Sequence, residues 1–441
     1  MSTDDVKTIE PLSGPLSGSC VVPGDKSISH RAVLFSAMAE GASRLSGVLD
    51  SSDVRASIDA VRKLGAEVTL EKQPDGSLSG GVVGWGAKGP KQPDGPIYCA
   101  NSGTTARLLM GILAPWDIEV KITGDESLSR RPMRRITAPL MKMGVSFDPA
   151  GAETLPIVER GTRDLRAISY DSPMASAQLK TAVLLAGVYA NGTTTVNEPS
   201  TSRNHTELML PEFGVETTAS ELSASVNGPA ALKSCEVVVP GDPSSAAFLI
   251  CAALLKKGSA IQIENVSLNT ARTGFFRTLE RMGADIEVHR TGSSGKEPFG
   301  VMSACYSGKL RGCEVPGSKI ASLVDEVPVL ALVAAFARGV TVFRDAGELR
   351  AKETDRLTAV RNGLAQLGVD SWIEGDDLFV EGNPDLEIPD GIVFDSLGDH
   401  RLAMTWSLVG LTGEKPVGIK NFSCVDVSYP DFLKDIERLV R

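Results

Sequence analysis

The sequence predicts an α/β protein of two similar domains, each made of three repeated strand–helix–strand–helix–strands units. Three observations predict this. The tripeptide Val-Pro-Gly occurs at Val22–Gly24, Val239–Gly241 and Val315–Gly317. Apolar, small-residue helices opened by a polar turn recur at Lys26–Gly41, Ser102–Gly111, Met174–Gly192, Ser244–Gly258, Asp325–Gly339 and Asp399–Gly413, each reading as closed by its glycine. More amphipathic helices alternate with them and end in Leu64-Gly65-Ala66, Met143-Gly144-Val145, Phe213-Gly214-Val215, Met282-Gly283-Ala284 and Leu367-Gly368-Val369. A glycine in that place is a C-cap, because it takes the left-handed conformation without strain. The sixth amphipathic helix is Phe432–Arg441, cut off by the chain end. A repeat of roughly 70 residues makes each copy one supersecondary unit. Six copies divide into two domains of three. The Val-Pro-Gly-Asp segments at 22–25 and 239–242 are the expected crossings, giving one domain over 22–239 and another from 240–441 plus the returning segment 1–21.

Composition narrows the function classes. At 441 residues the chain exceeds one ordinary core, and two domains of about 200 residues each are the prior. Its 42% hydrophobic and 23% charged residues are those of a soluble globular protein. The 44 glycines and only 5% aromatics suggest close helix–strand packing. A net charge of −10 argues against nonspecific binding to nucleic acid or acidic membranes. An anionic ligand must therefore be held by local clusters of arginine and lysine. Cys20, Cys99, Cys235, Cys251, Cys305, Cys313 and Cys424 are scattered and odd in number, as expected of a reduced compartment. His30, His205, His289 and His400 show no zinc spacing, so no metal is expected. The acidic Met1–Glu10 resembles neither a signal nor a transit peptide, and no apolar run reaches membrane-spanning length. A cytoplasmic location is the expectation.

The first Val-Pro-Gly copy continues Asp25-Lys26-Ser27-Ile28-Ser29-His30-Arg31, packing cations and hydroxyls into a helix start. Unpaired N–H groups and the macrodipole already favour anions there. Lys26, Arg31, Arg131, Arg203, Lys352, Arg356 and Arg401 recur in the polar turns. Any one of them alone reads as solvated surface; seven suggest a ligand with several negative charges. Asp325 and Glu353 are candidate proton handlers, with an N-cap and an ion pair to neighbouring cations as the respective structural alternatives. His400 reads equally as a satisfied helix-start histidine. Two further patterns fail their own tests. Gly84–Gly89 matches a dinucleotide fingerprint but runs into Pro90, and Gly24–Ser27 lacks the upstream glycine of a phosphate loop, so no ATP site is supported.

The segments Asp25–Arg31, Asn101-Ser102-Gly103-Thr104-Thr105-Ala106-Arg107, Arg130-Arg131-Pro132-Met133, Ser176-Ala177-Gln178, Lys352-Glu353-Thr354-Asp355-Arg356 and Asp399-His400-Arg401 occur in that order. Together they resemble the 5-enolpyruvylshikimate-3-phosphate synthase (3-phosphoshikimate 1-carboxyvinyltransferase) family over nearly the whole chain. Ser127–Pro132 and Arg203–Glu207 look like its bacterial class II branch. The resemblance implies the enolpyruvyl transferase fold of two inverse barrel-like domains, with the active site in the cleft between them and closure on the substrates. It implies transfer of the enolpyruvyl group of phosphoenolpyruvate to the 5-hydroxyl of shikimate 3-phosphate, releasing phosphate, with no cofactor. Lys26, Arg131, Arg356 and Arg401 would then hold phosphoenolpyruvate, beside the backbone of Gly103. Ser27, Arg31, Ser176, Gln178, Arg203, Asp325 and Lys352 would hold shikimate 3-phosphate. Asp325 and Glu353 would move protons, with Lys26 the third residue at the reacting centre. The substrates would be the sole partners, without nucleic acid or membrane, and a monomer is expected.

Departures from the resemblance are Val427 in place of a class I lysine, Ala177 in place of a serine and Glu348 in place of an asparagine. Gly103 leaves room in the pocket, so glyphosate is expected to enter. The rivals are an enolpyruvyl transferase acting on a UDP-aminosugar, an RNA terminal-phosphate cyclase and a non-catalytic scaffold. Lys26 followed by Ser27 rather than asparagine disfavours the first, and the acidic balance the second. Retention of Lys26, Asp325 and Glu353 together disfavours the third.

Overall fold

The computed structural model describes residues 5–151 and 153–441; residues 1–4, part of the segment expected to return to the second domain, lie outside the described residues. The chain forms two compact units, one of Pro23–Pro240 with Ser293–Glu297, the other of Met1–Val22, Gly241–Gly292 and Pro298–Arg441.

The 23–240 unit contains three four-stranded sheets of one design. In the first, Glu236–Val238 pairs in parallel with Ala42–Val48, which runs antiparallel to Leu78–Val83, and that strand to Glu67–Lys72. Ile97–Tyr98, Glu119–Thr123, Ile157–Arg160 and Ser146–Asp148 repeat the order, as do Ser169–Asp171, Gly192–Asn197, Ser223–Gly228 and Thr217–Ala219. Each sheet goes with a central helix: α1 (Lys26–Met38) leads into Ala42–Val48, while α2 (Gly103–Leu113) and α3 (Ala177–Gly187) lie, in chain order, between the two parallel strands of their sheets. These helices are buried on nearly every side, which is why they read as apolar all round rather than as a stripe. Their starts are set locally. Asp25, Ser102 and Ser176 each accept a hydrogen bond from a backbone N–H three residues on.

The other unit repeats the scheme around α4 (Pro243–Leu255), α5 (Val327–Ala335) and α6 (His400–Thr412). Ser17–Val21 supplies the parallel neighbour of Ala260–Ser267, so the first sheet of each unit takes its outer strand from a distant segment. The last sheet has three strands: Val6–Ile9 runs antiparallel to Val417–Lys420 where the other sheets place a hairpin. The chain ends in the helix Phe432–Arg438. Among the described residues, all six sheets are open.

The glycines after the amphipathic helices are left-handed, with φ of 100° at Gly65, 114° at Gly144, 79° at Gly214, 82° at Gly283 and 77° at Gly368. The closing-glycine expectation for the apolar helices holds as a C-cap only at Gly413; the helices before Gly41, Gly192, Gly258 and Gly339 are capped earlier, by Ala39, Val188, Lys256 and Phe336. Gly111 does not close its helix but lies inside α2, where a Cβ would stand 2.2 Å from the Ala182 carbonyl oxygen of α3. Its reason is close helix approach, not capping.

Candidate active site

In the 23–240 unit the helix starts bring polar groups together. Lys26, the first residue of α1, places Nζ 2.6 Å from Asp53 Oδ2. One turn on, the buried Arg31 donates from Nε to Thr206 Oγ1 (2.9 Å), from Nη2 to Thr181 Oγ1 (2.8 Å) and from Nη1 to the carbonyl of Ser27 (3.0 Å). Arg131 donates from Nη2 to Asn101 Oδ1 at 2.5 Å and from Nη1 to the Asn101 carbonyl at 3.3 Å, so it lies against the loop that carries Gly103. A Cβ on Gly103 would meet Arg107 Nη1 at 2.9 Å and Arg131 Nη1 at 3.6 Å. Arg107 in turn donates to Gln178 Oε1 (2.7 Å), whose amide donates to Thr104 Oγ1 (3.0 Å). Gly103, Arg131 and Gln178 thus belong to one constellation. Ser176 caps α3 and its own N–H donates to Glu198 at 2.8 Å. Arg203 sits half-buried in the coil between Gly192–Asn197 and the helix His205–Met209.

The other unit gathers Asp325, Lys352, Glu353, Arg356 and Arg401. Arg356, 1% exposed at the start of the helix Arg356–Gln366, is the hub. It donates from Nε to Asp399 Oδ2 (2.7 Å), from Nη1 to Asp325 Oδ1 (3.0 Å) and from Nη2 to Glu353 Oε2 (2.5 Å). Burial disfavours its charge, but Asp399, Glu353 and Asp325 outweigh that and hold the guanidinium firmly protonated. Arg401 Nη1 donates to the Asp325 carbonyl at 3.3 Å and to Glu326 Oε1 at 3.4 Å. Lys352 Nζ lies 2.7 Å from Glu348 and 3.9 Å from Asp325. Asp325 is not the N-cap residue of α5, a place taken by Glu326; it lies in the 3₁₀ turn Val324–Glu326, and its carboxylate faces the Arg356 guanidinium. Glu353 is an ion-pair partner, as its structural alternative supposed, and that pair aims it at the hub.

Sequence reasoning missed Asp53, Arg107, Glu326 and Asp399. Asp399 had a signal, standing as an N-cap directly before His400-Arg401. Glu326 had none: burial pushes its carboxyl above the usual range against the pull of Arg401 and Arg272. Among the described residues, no group of three or more His, Cys, Asp or Glu is arranged to hold a metal ion.

A scan against family models matches residues 11–436 to the family described as EPSP synthase (3-phosphoshikimate 1-carboxyvinyltransferase). The chain belongs to the EPSP synthase family. Within it, the 3-phosphoshikimate 1-carboxyvinyltransferase of Bacillus pumilus is 42% identical over 428 residues, covering 97% of this chain and 98% of that one. The protein of that name from Parvibaculum lavamentivorans is 44% identical, covering 96% and 94% respectively. Among solved structures, EPSP synthase from Acinetobacter baumannii superposes with a TM-score of 0.87 at 37% identity, over 99% of this chain and 98% of that one. An enolpyruvyl transferase of Streptomyces tendae, at 20% identity and a TM-score of 0.77 over 98% and 97% of the two chains, shares the fold. The sheet-and-helix scheme expected from the repeats is the fold of this family.

Proposed function

We infer that the protein transfers the enolpyruvyl group of phosphoenolpyruvate to the 5-hydroxyl of shikimate 3-phosphate, releasing phosphate. The observation that carries this reading is the hub at Arg356, one buried guanidinium that holds both Asp325 and Glu353 in a chain of the EPSP synthase family. Lys26, Arg131, Arg356 and Arg401 bind the carboxylate and phosphate of phosphoenolpyruvate, with the Gly103 backbone beside them. Ser27, Arg31, Ser176, Gln178, Arg203 and Lys352 bind shikimate 3-phosphate. Protonated Glu353 gives its proton to the methylene carbon, leaving positive character on the adjacent carbon. The 5-hydroxyl oxygen bonds to that carbon as Asp325 takes its proton. In the elimination Glu353 recovers a proton from the new methyl group, the carbon–oxygen bond to phosphate breaks, and Asp325 returns its proton to the leaving phosphate. Both acids end as they began. The cations offset repulsion between two polyanionic substrates and hold them at attack distance.

Seven unpaired cysteines support work in the reduced cytoplasm, and a complete core in each unit supports a monomer. The test is phosphate release on mixing protein, shikimate 3-phosphate and phosphoenolpyruvate. Release that needs both substrates and collapses in Asp325→Ala and Glu353→Ala is expected. No release with this acceptor sinks the reading, and release with a UDP-aminosugar acceptor instead moves the assignment to that rival.

A further inference from the structure

Three side chains of the 23–240 unit, none given a role above, form a buried ion-pair triad. Lys180 Nζ lies 2.8 Å from Glu198 Oε2 and 2.7 Å from Glu207 Oε1, and the three side chains are 6%, 3% and 5% exposed. Burying three charges is costly, and apolar residues of equal volume would serve packing as well. The contacts of the triad show what else it does. Glu198 Oε1 accepts the Ser176 N–H at 2.8 Å, and Oε2 accepts the Ser202 hydroxyl at 2.8 Å. Lys180 and Thr181 are neighbours on α3, as Thr206 and Glu207 are on the facing helix. The Lys180–Glu207 pair therefore runs beside the Thr181–Thr206 hydroxyl contact of 2.6 Å, and both threonines receive Arg31. The links lead to Arg31, to Ser176 and, through Ser202, to Arg203.

We propose that Lys180, Glu198 and Glu207 are positioning residues for the acceptor substrate, locking α1, α3 and the 199–204 coil into one frame that presents Arg31, Ser176 and Arg203 to it. The proposal rests on the reading that these three residues bind shikimate 3-phosphate. Glu198 is the keystone because its two oxygens serve Ser176 on one side and Ser202 and Lys180 on the other. A glutamine there has the same size, but its single carbonyl oxygen cannot do both, and its NH₂ faces Lys180 or a donor.

The experiment is steady-state kinetics with both substrates varied, alongside thermal melting. Glu198→Gln raises the KM for shikimate 3-phosphate about tenfold and leaves that for phosphoenolpyruvate within about twofold. Ser202→Ala, which keeps every ion pair, raises the acceptor KM about threefold with an unchanged melt. Equal rises in both KM values, or a fall in kcat alone, overturn the proposal. Should Glu198→Gln fail to fold, Ser202→Ala decides it, and an unchanged acceptor KM there overturns it. Arg203→Ala separates this inference from the reading beneath it. If Arg203→Ala leaves the acceptor KM unchanged, the acceptor assignment fails; if it raises that KM while Glu198→Gln and Ser202→Ala do not, the positioning role alone fails.

Discussion

Arg356 meets three carboxylates at 2.7, 3.0 and 2.5 Å, and each does a different job. Asp399 is wholly buried and anchors the guanidinium, whereas Asp325 and Glu353 keep 11% and 28% of their side chains exposed and can reach a substrate. Asp325→Asn and Glu353→Gln should therefore each lower kcat by about 10²–10⁴-fold while shifting KM much less, as read by phosphate release. Space is tighter at Gly103. A methyl group there pushes on Arg107 Nη1, which also holds Gln178. Gly103→Ala is expected to raise the KM for phosphoenolpyruvate several-fold with the melting temperature little changed. His30 shows a residue working through pH. Its Nδ1 lies 2.8 Å from Ser57 Oγ, and burial lowers its pKa from 6.5 to about 3, with Lys26 and Arg31 adding to the effect against Asp53. Because the folded value lies below the unfolded one, the unfolded chain binds the extra proton between pH 6.5 and about 3. Stability from the neutral ring is whole above pH 6.5 and falls as pH drops through that window. Urea midpoints of His30→Gln should fall less steeply than those of the parent over the same range; parallel slopes would refute this.

Helices α2 and α3 cross where Gly111 faces the Ala182 backbone, and the closeness holds Arg107 of α2 to Gln178 of α3. Gly111→Ala forces the two apart and should cost about 1–3 kcal/mol, seen as a lower urea midpoint, with a rise in the phosphoenolpyruvate KM as Arg107 shifts. The element pattern was largely legible in the sequence. Caps at Asp25, Ser102 and Ser176 and left-handed glycines at Gly65 and Gly144 act within one turn of chain, so residue type and spacing reveal them. Gly111 was misread for the same reason. Its neighbours in sequence suit a helix end, and the segment that requires it lies some 70 residues on.

Each unit owns its hydrophobic core: Ile28 to Val239 pack in one cluster, Ile9, Leu16 and Val22 with residues from Ala246 to Leu439 in the other. The segment 23–240 expressed alone should melt cooperatively with a native-like circular dichroism spectrum. The segment 241–441 alone should not, because Ala260–Ser267 and Val417–Lys420 lose the strands Ser17–Val21 and Val6–Ile9. A cooperative melt of both fragments would refute the second half. The sequence by itself determined the repeat, the helix starts, the glycine stops of the amphipathic helices, and which side chains carry charge into the polar turns. It did so because those features act between residues a few positions apart. Only the tertiary structure decided that Arg356 joins Asp325 to Asp399, that Glu326 lies behind Arg401, and that Lys180 is shared by Glu198 and Glu207. Such partners come from separate repeats or from opposite ends of one. Their choice is made by packing, which trades desolvation against pairing in a geometry that separation along the chain does not encode.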